Sequence, residues 1–155
     1  MTAIDLSPTL KKIRRRYPAW WRSEAAIRCL RQLWAGAHCN DSGVFEDCET
    51  IRIDLDGERQ WSAEIRLATA PNGWCAVAIS YSYPLGGAGS MPSVWDRTAF
   101  TSRDEAMEHG INGLIDAFER VRNSAHAPET HVRNASRMLE TLRAYRQGSK
   151  QLTLF

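Results

Sequence analysis

The chain reads as an α+β fold: a three-stranded antiparallel meander packed against helices in the core order α-β-β-β-α, followed by a C-terminal helix and a flexible tail. Two observations predict this. Residues 51–67 alternate apolar and polar side chains, and the β region through residue 83 is punctuated by Asp56-Gly57 and Asn72-Gly73, dipeptides suited to two-residue hairpin turns. On both sides of this region apolar residues recur at three- and four-residue spacing, the period of a helix with one buried face. A length of 155 residues with a hydrophobic fraction of 43% fits one domain with appendages. The expected organisation is a basic N-terminal arm over 1–22, a single α+β domain over 23–146 and a flexible tail over 147–155.

Residues 1–10 are expected to be loosely ordered, with Pro8 as punctuation. Then comes "KKIRRRYPAWWR". Lys11, Lys12, Arg14, Arg15 and Arg16 precede Tyr17, Trp20 and Trp21, which is the mixture a single-stranded nucleic-acid site needs: cations for phosphates and ring faces for bases. Lys11, Lys12, Arg14, Arg15, Arg16, Tyr17 and Trp20 are therefore the candidate contacts. A plainer reading of the same residues stays open. It is a short basic helix stopped before Pro18, with the tryptophans anchoring the next helix in the core.

Ser23 is placed to cap a helix over 23–36 whose stripe is Ala26, Ile27, Leu30, Leu33 and Trp34, with Gly36 ending it. An acidic loop over 37–49 follows. The first strand buries Ile51, Ile53 and Leu55, and the second Trp61, Ala63, Ile65 and Leu67. The third, "WCAVAISYSY", is apolar almost throughout, as a central strand would be. The Gly/Pro stretch over 84–99 is expected to be a loop. It lacks the Lys-Ser/Thr of a phosphate-binding loop and no helix follows it directly. Ser102, Asp104 and Glu105 open a helix reaching residue 122, with Ala106, Ile111, Leu114, Ile115, Phe118 and Val121 inward. A linker leads to a last helix over about 131–146, striped by Val132, Met138, Leu139, Leu142 and Tyr145.

Over residues 23–122 the element order resembles the double-stranded-RNA-binding domain. That family's second helix opens with lysines that hold phosphates across a groove. Here the matching helix opens "SRDEA", and its two acids argue against duplex RNA binding by that face.

Charge is unevenly distributed. Residues 1–36 hold eight Lys/Arg against two acids, residues 37–119 five against fourteen, and residues 120–155 seven against two. Basic ends around an acidic middle imply a face for a polyanion if the ends share a side, and mutual neutralisation if they do not. No apolar run approaches a membrane span or a secretory signal, so no membrane partner and a cytoplasmic location are expected. Cys29, Cys39, Cys48 and Cys75 form no C-x-x-C pair, and His38, Cys39 and Cys48 are not spaced like zinc ligands; reduced thiols, no metal and no cofactor are expected. His38, His109, His126 and His131 are scattered outside any catalytic motif. Glu46, Asp47, Glu49, Asp54, Asp56 and Glu58 have the composition of a metal-dependent nuclease site but lie on polar positions without a partnering lysine. No catalytic residue is assigned, and the chain is expected not to be an enzyme.

The last five letters, "QLTLF", carry three large apolar side chains beyond a polar Gly-Ser joint. They resemble the bacterial sliding-clamp-binding motif, recognised by the DNA polymerase III beta subunit: Gln151, Leu152, Leu154 and Phe155 match outright, and Thr153 stands where Ser or Asp is usual. The resemblance implies a clamp-binding set Gln151, Leu152, Thr153, Leu154 and Phe155. In an extended peptide Gln151 would bond at a pocket rim, Leu152 enter a small slot, and Leu154 with Phe155 share a larger apolar pocket. It implies a replication or repair accessory protein with the sliding clamp and DNA as partners, of a kind that suits plasmids, phages or integrated elements. The alternative is a stand-alone nucleic-acid-binding or regulatory protein of a plasmid or phage whose tail packs on its own core.

Overall fold

The computed structural model describes residues 3–153, with side chains described as far as Gly148. The α+β class holds, with four helices and a six-stranded antiparallel sheet. In chain order the elements are β1 (Ala3–Asp5), α1 (Ser7–Arg16), a single 3-10 turn (Trp20–Arg22), α2 (Glu24–Leu33), β2 (Glu49–Leu55), β3 (Glu58–Thr69), β4 (Cys75–Tyr83), β5 (Gly86–Gly89), β6 (Thr98–Phe100), α3 (Arg103–Arg122) and α4 (Glu129–Thr153). The strands run β1-β6-β4-β3-β2, with β5 also paired to β4.

The residues form two compact units. The first takes the chain up to Thr50, then Arg66–Ala78 and Met91–Met107; the second takes Ile51–Ile65, Ile79–Ser90 and the chain from Glu108 onward. Over the described residues 3–22 the expected loose arm is instead an ordered strand, helix and turn. Asp5 Oδ1 accepts the Ser7 N–H at 2.9 Å, and Pro8 sits in the first helical turn, where its missing N–H costs nothing. Leu6 and Leu10 are buried, and β1 pairs with β6 in the register Ala3↔Phe100.

The first unit's core joins Leu6, Leu10, Ile27, Leu30, Phe45 and Ala76 around Trp34. The Trp34 ring meets Phe45 at 5.3 Å and Trp74 at 5.6 Å, both edge to face, the arrangement ring quadrupoles favour. Ser23 Oγ accepts the Ala26 N–H at 3.2 Å and fixes the start of α2. The acidic loop is built rather than slack: Asn40 Oδ1 accepts from Ser42 N at 2.9 Å and Val44 N at 3.0 Å, turning the chain so that Phe45 enters the core. Gly43 has φ +87°, and a Cβ there would stand 2.8 Å from Val94 Cγ2, so both the turn and the packing require glycine.

In the second unit β3 buries Trp61, Ala63 and Ile65, and the rings of Trp61 and Tyr81 meet Phe118 of α3 at 6.2 and 5.5 Å. Ile53 and Leu114 are buried as expected, while Ile79 is only partly buried. Leu139 and Leu142 anchor α4, and among the described side chains none beyond Leu142 is buried.

The stretch over 84–99 is more ordered than a loop. β4 turns back through Pro84-Leu85 into β5 with Tyr83 opposite Gly86, and β6 follows. The expected flexible tail is also corrected over its first part. α4 continues through Gly148 to Thr153, because an interior glycine costs only about 1 kcal/mol of helix stability. Leu154, Phe155 and the side chains of Gln151, Leu152 and Thr153 lie outside the described residues.

Candidate nucleic-acid interface

α1 turns by about 100° per residue. With Leu10 buried and Ile13 half-buried, Lys11, Lys12, Arg15 and Arg16 project outward and are exposed. Arg14 lies one turn after Leu10, so its stem starts near the buried side. Its guanidinium carbon ends 4.4 Å from the centre of the Trp20 ring and 5.9 Å from that of Trp95, a cation–π arrangement. Among the described residues none of these five cations has an ion-pair partner.

The helix ends at Arg16, where Tyr17 turns extended and its N–H still bonds the Ile13 carbonyl at 3.1 Å. Pro18 cannot continue a helix, and Ala19 takes a left-handed conformation, φ 53°, uncommon for a residue with a side chain. That corner sets Trp20 and Trp21 on the 3-10 turn. Trp20 is half-buried, 4.8 Å from Trp95 and 5.6 Å from Trp21; Trp21 is 61% exposed. The plainer expectation is met for the short basic helix and for Trp20, which packs on Trp95, while the cations and Trp21 face solvent.

Tyr17 is tied to α2. Its hydroxyl lies 3.4 Å from Cys29 Sγ, and that hydrogen bond, with burial, raises the phenol above its ordinary value. Arg16 and Arg28 are the cations close enough to oppose this rise, and Arg28, missed in the sequence, is exposed on α2. Arg31 is spent differently: its Nη2 donates to the Cys39 carbonyl at 3.1 Å, with Glu46 and Asp41 near.

Trp95 was also missed. It reaches the cluster from a loop stitched by Ser93, whose Oγ accepts the Trp95 N–H at 2.9 Å and whose own N–H donates to Asp96 Oδ2 at 3.2 Å. The neighbouring Leu6 N–H bonds the Arg97 carbonyl at 2.7 Å. Burial raises the Asp96 carboxyl to about 6, against the lesser opposing pull of the Ser93 N–H. A folded value above the unfolded 3.8 means the folded chain holds its proton longer, so Asp96 lowers stability as pH climbs from about 4 to 6 and the full cost applies above 6. Asp96→Asn, which keeps an acceptor for Ser93, is expected to stabilise the protein at pH 8 by about 1–3 kcal/mol. The gain should shrink to nothing below pH 4; urea titrations of both proteins across this range measure it.

The other basic end is internally engaged. Arg143 pairs with Glu119 at 2.9 Å, Arg146 donates to Asn112 at 2.9 Å, and Arg137 donates to the Asp56 carbonyl at 3.1 Å. The acidic stretch is used likewise: Asp54 pairs with Arg52 at 2.9 Å, and Glu49 is held below its ordinary value by the Arg103 guanidinium hydrogen-bonded to it. Among the described residues no three His, Cys, Asp or Glu side chains converge as metal ligands would, and no helix is long and apolar enough to cross a membrane. Comparison with protein-family models, curated proteins and solved structures found no match.

Proposed function

We propose that the chain is a non-enzymatic accessory protein of bacterial DNA replication or repair. It docks on the sliding clamp through Gln151–Phe155 and touches nucleic acid through α1 and the turn after it. The observation that carries this reading is α1 itself: one apolar side fixes it to the core while five cations stand exposed without acidic partners. Fixed cations on a rigid helix suit a phosphate backbone, because binding there releases counterions. The clamp half rests on the pentapeptide, supported by the absence of buried side chains between Leu142 and Gly148.

The nucleic-acid half is tested by a salt series. Changing Lys11, Lys12, Arg15 and Arg16 to Gln leaves Leu10 and Arg14 in place. Each cation that neutralises a phosphate contributes about 0.7–0.9 to the slope of log affinity against log salt. The variant is expected to bind DNA with a slope flatter by about 3 and an affinity lower on the order of a hundredfold near physiological salt. Equal slopes for the two proteins would assign these residues to ordinary solvated surface.

A further inference from the structure

Trp20 and Trp21 are adjacent in sequence and differ in what remains available to a ligand. Trp20 is engaged by Trp95, by the Arg14 guanidinium and by Trp21. Among the described residues the one ring that Trp21 meets is Trp20, at right angles, 5.6 Å between centres at 88°. Such a contact occupies a ring edge or one face, so Trp21 keeps an open face at 61% exposure. It is held there by the left-handed corner at Ala19 and the 3-10 turn.

We infer that Trp21 is a stacking platform for an unpaired base of single-stranded nucleic acid, with Arg14 and Arg22 gripping the adjoining phosphates. This rests on the nucleic-acid half of the proposed function and is independent of the clamp. The chemistry selects the strand form. Within a nucleic acid the flat surface that stacks on a ring face is a base face, and in a duplex the base faces are already buried in the stack. Arg14 is pre-positioned by its seat on Trp20, so little rotamer freedom is lost when it meets a phosphate. Exposed Arg22 shares the turn with Trp21. The cations of α1 then give the strand a charged track leading to the ring. This moves the stacking role from Tyr17 and Trp20, which are committed to Cys29 and Trp95, to their exposed neighbour.

The test uses the full-length chain, an oligothymidylate and a duplex of equal length at one salt concentration. Trp21→Ala is expected to weaken oligothymidylate binding by about 5- to 100-fold, since base–aromatic stacking contributes about 1–3 kcal/mol. Trp21→Phe, which keeps a ring, should retain most of the affinity, and duplex binding should be unchanged in both. Tryptophan quenching by oligothymidylate should fall in Trp21→Ala. An unaltered melting midpoint would show that this exposed residue was removed without disturbing the core. If the parent chain binds oligothymidylate and Trp21→Ala binds it equally, or if the parent prefers duplex, the stacking inference is overturned while the α1 reading stands. If the parent binds neither nucleic acid, the underlying reading fails as well. A change in self-association without a change in oligothymidylate affinity would reassign Trp21 to protein contact and overturn the inference.

Discussion

Changing Leu154 and Phe155 together to alanine is expected to abolish binding to the bacterial sliding clamp while leaving the thermal midpoint nearly unchanged. Two large apolar side chains in a pocket contribute about 3–6 kcal/mol, and a short peptide ligand of this size has an expected affinity near micromolar, about −8 kcal/mol. Losing most of the apolar part moves the dissociation constant beyond the millimolar range. Gln151→Ala removes one rim hydrogen bond of about 1 kcal/mol and should weaken binding only several-fold. Gln151, Leu152 and Thr153 continue α4 in the free chain, so an extended bound form must first unwind the end of that helix. Part of the contact energy is consumed there, which keeps the affinity modest. Pull-down on immobilised clamp with both variants, and competition by a peptide of the last eight residues, measure this. Truncation after Lys150 that lowers the midpoint by several degrees, with no clamp binding by the parent, would instead assign the tail to this protein's own core.

The second large effect is at Trp34, which is fully buried between Phe45 and Trp74. Trp34→Ala is expected to cost about 3–5 kcal/mol, a large part of the stability of a small domain. At about 2–4 °C per kcal/mol the midpoint should fall by roughly 6–20 °C. Nucleic-acid binding should decline with it, because α1 and α2 are seated on this core. Trp34→Phe separates packing from the polar handle. The indole Nε1 is buried without a hydrogen-bond partner among the described residues, so phenylalanine keeps ring contacts and removes an orphaned donor. It should cost much less than alanine. A loss below about 1 kcal/mol for Trp34→Ala would mean the site collapses around the missing ring.

The meander was legible because its information is local. Alternation selects the buried face of β2 and β3, and Asp56-Gly57 fills the two-residue turn between them, while Asn72-Gly73 sits in a longer connection between Thr69 and Cys75 where Gly73 takes φ +87°. Ser23 and Ser102 were legible as helix caps, and their hydroxyls accept the Ala26 and Glu105 N–H groups at 3.2 and 3.1 Å. What was missed depends on distant partners. β5 is almost all glycine, a composition that disfavours strand, and it forms only because β4 lies alongside. β1 and β6 are three residues each, too short to show a period. The cations and Trp20 of the candidate interface were visible as a run. Trp95 was not, because nothing local ties a tryptophan in the loop before β6 to the end of α1. Arg28 was hidden for a related reason: in sequence it is one more polar residue on α2, and only the fold brings it near the Tyr17 hydroxyl.

The pairing of Ala3 with Phe100 also dictates the order of events during synthesis. A chain made at about 5–20 residues per second offers β1 no partner for roughly 5–20 s after it appears. Throughout that interval Ile4, Leu6 and Leu10 have no completed core to enter, because the first unit draws on chain as late as Met107. The segment that carries the cations therefore emerges well before the strand that fixes it. Maturation of this surface is governed by long-range closure, the slow step in sheets with non-local pairing, rather than by the rapid coiling of α1.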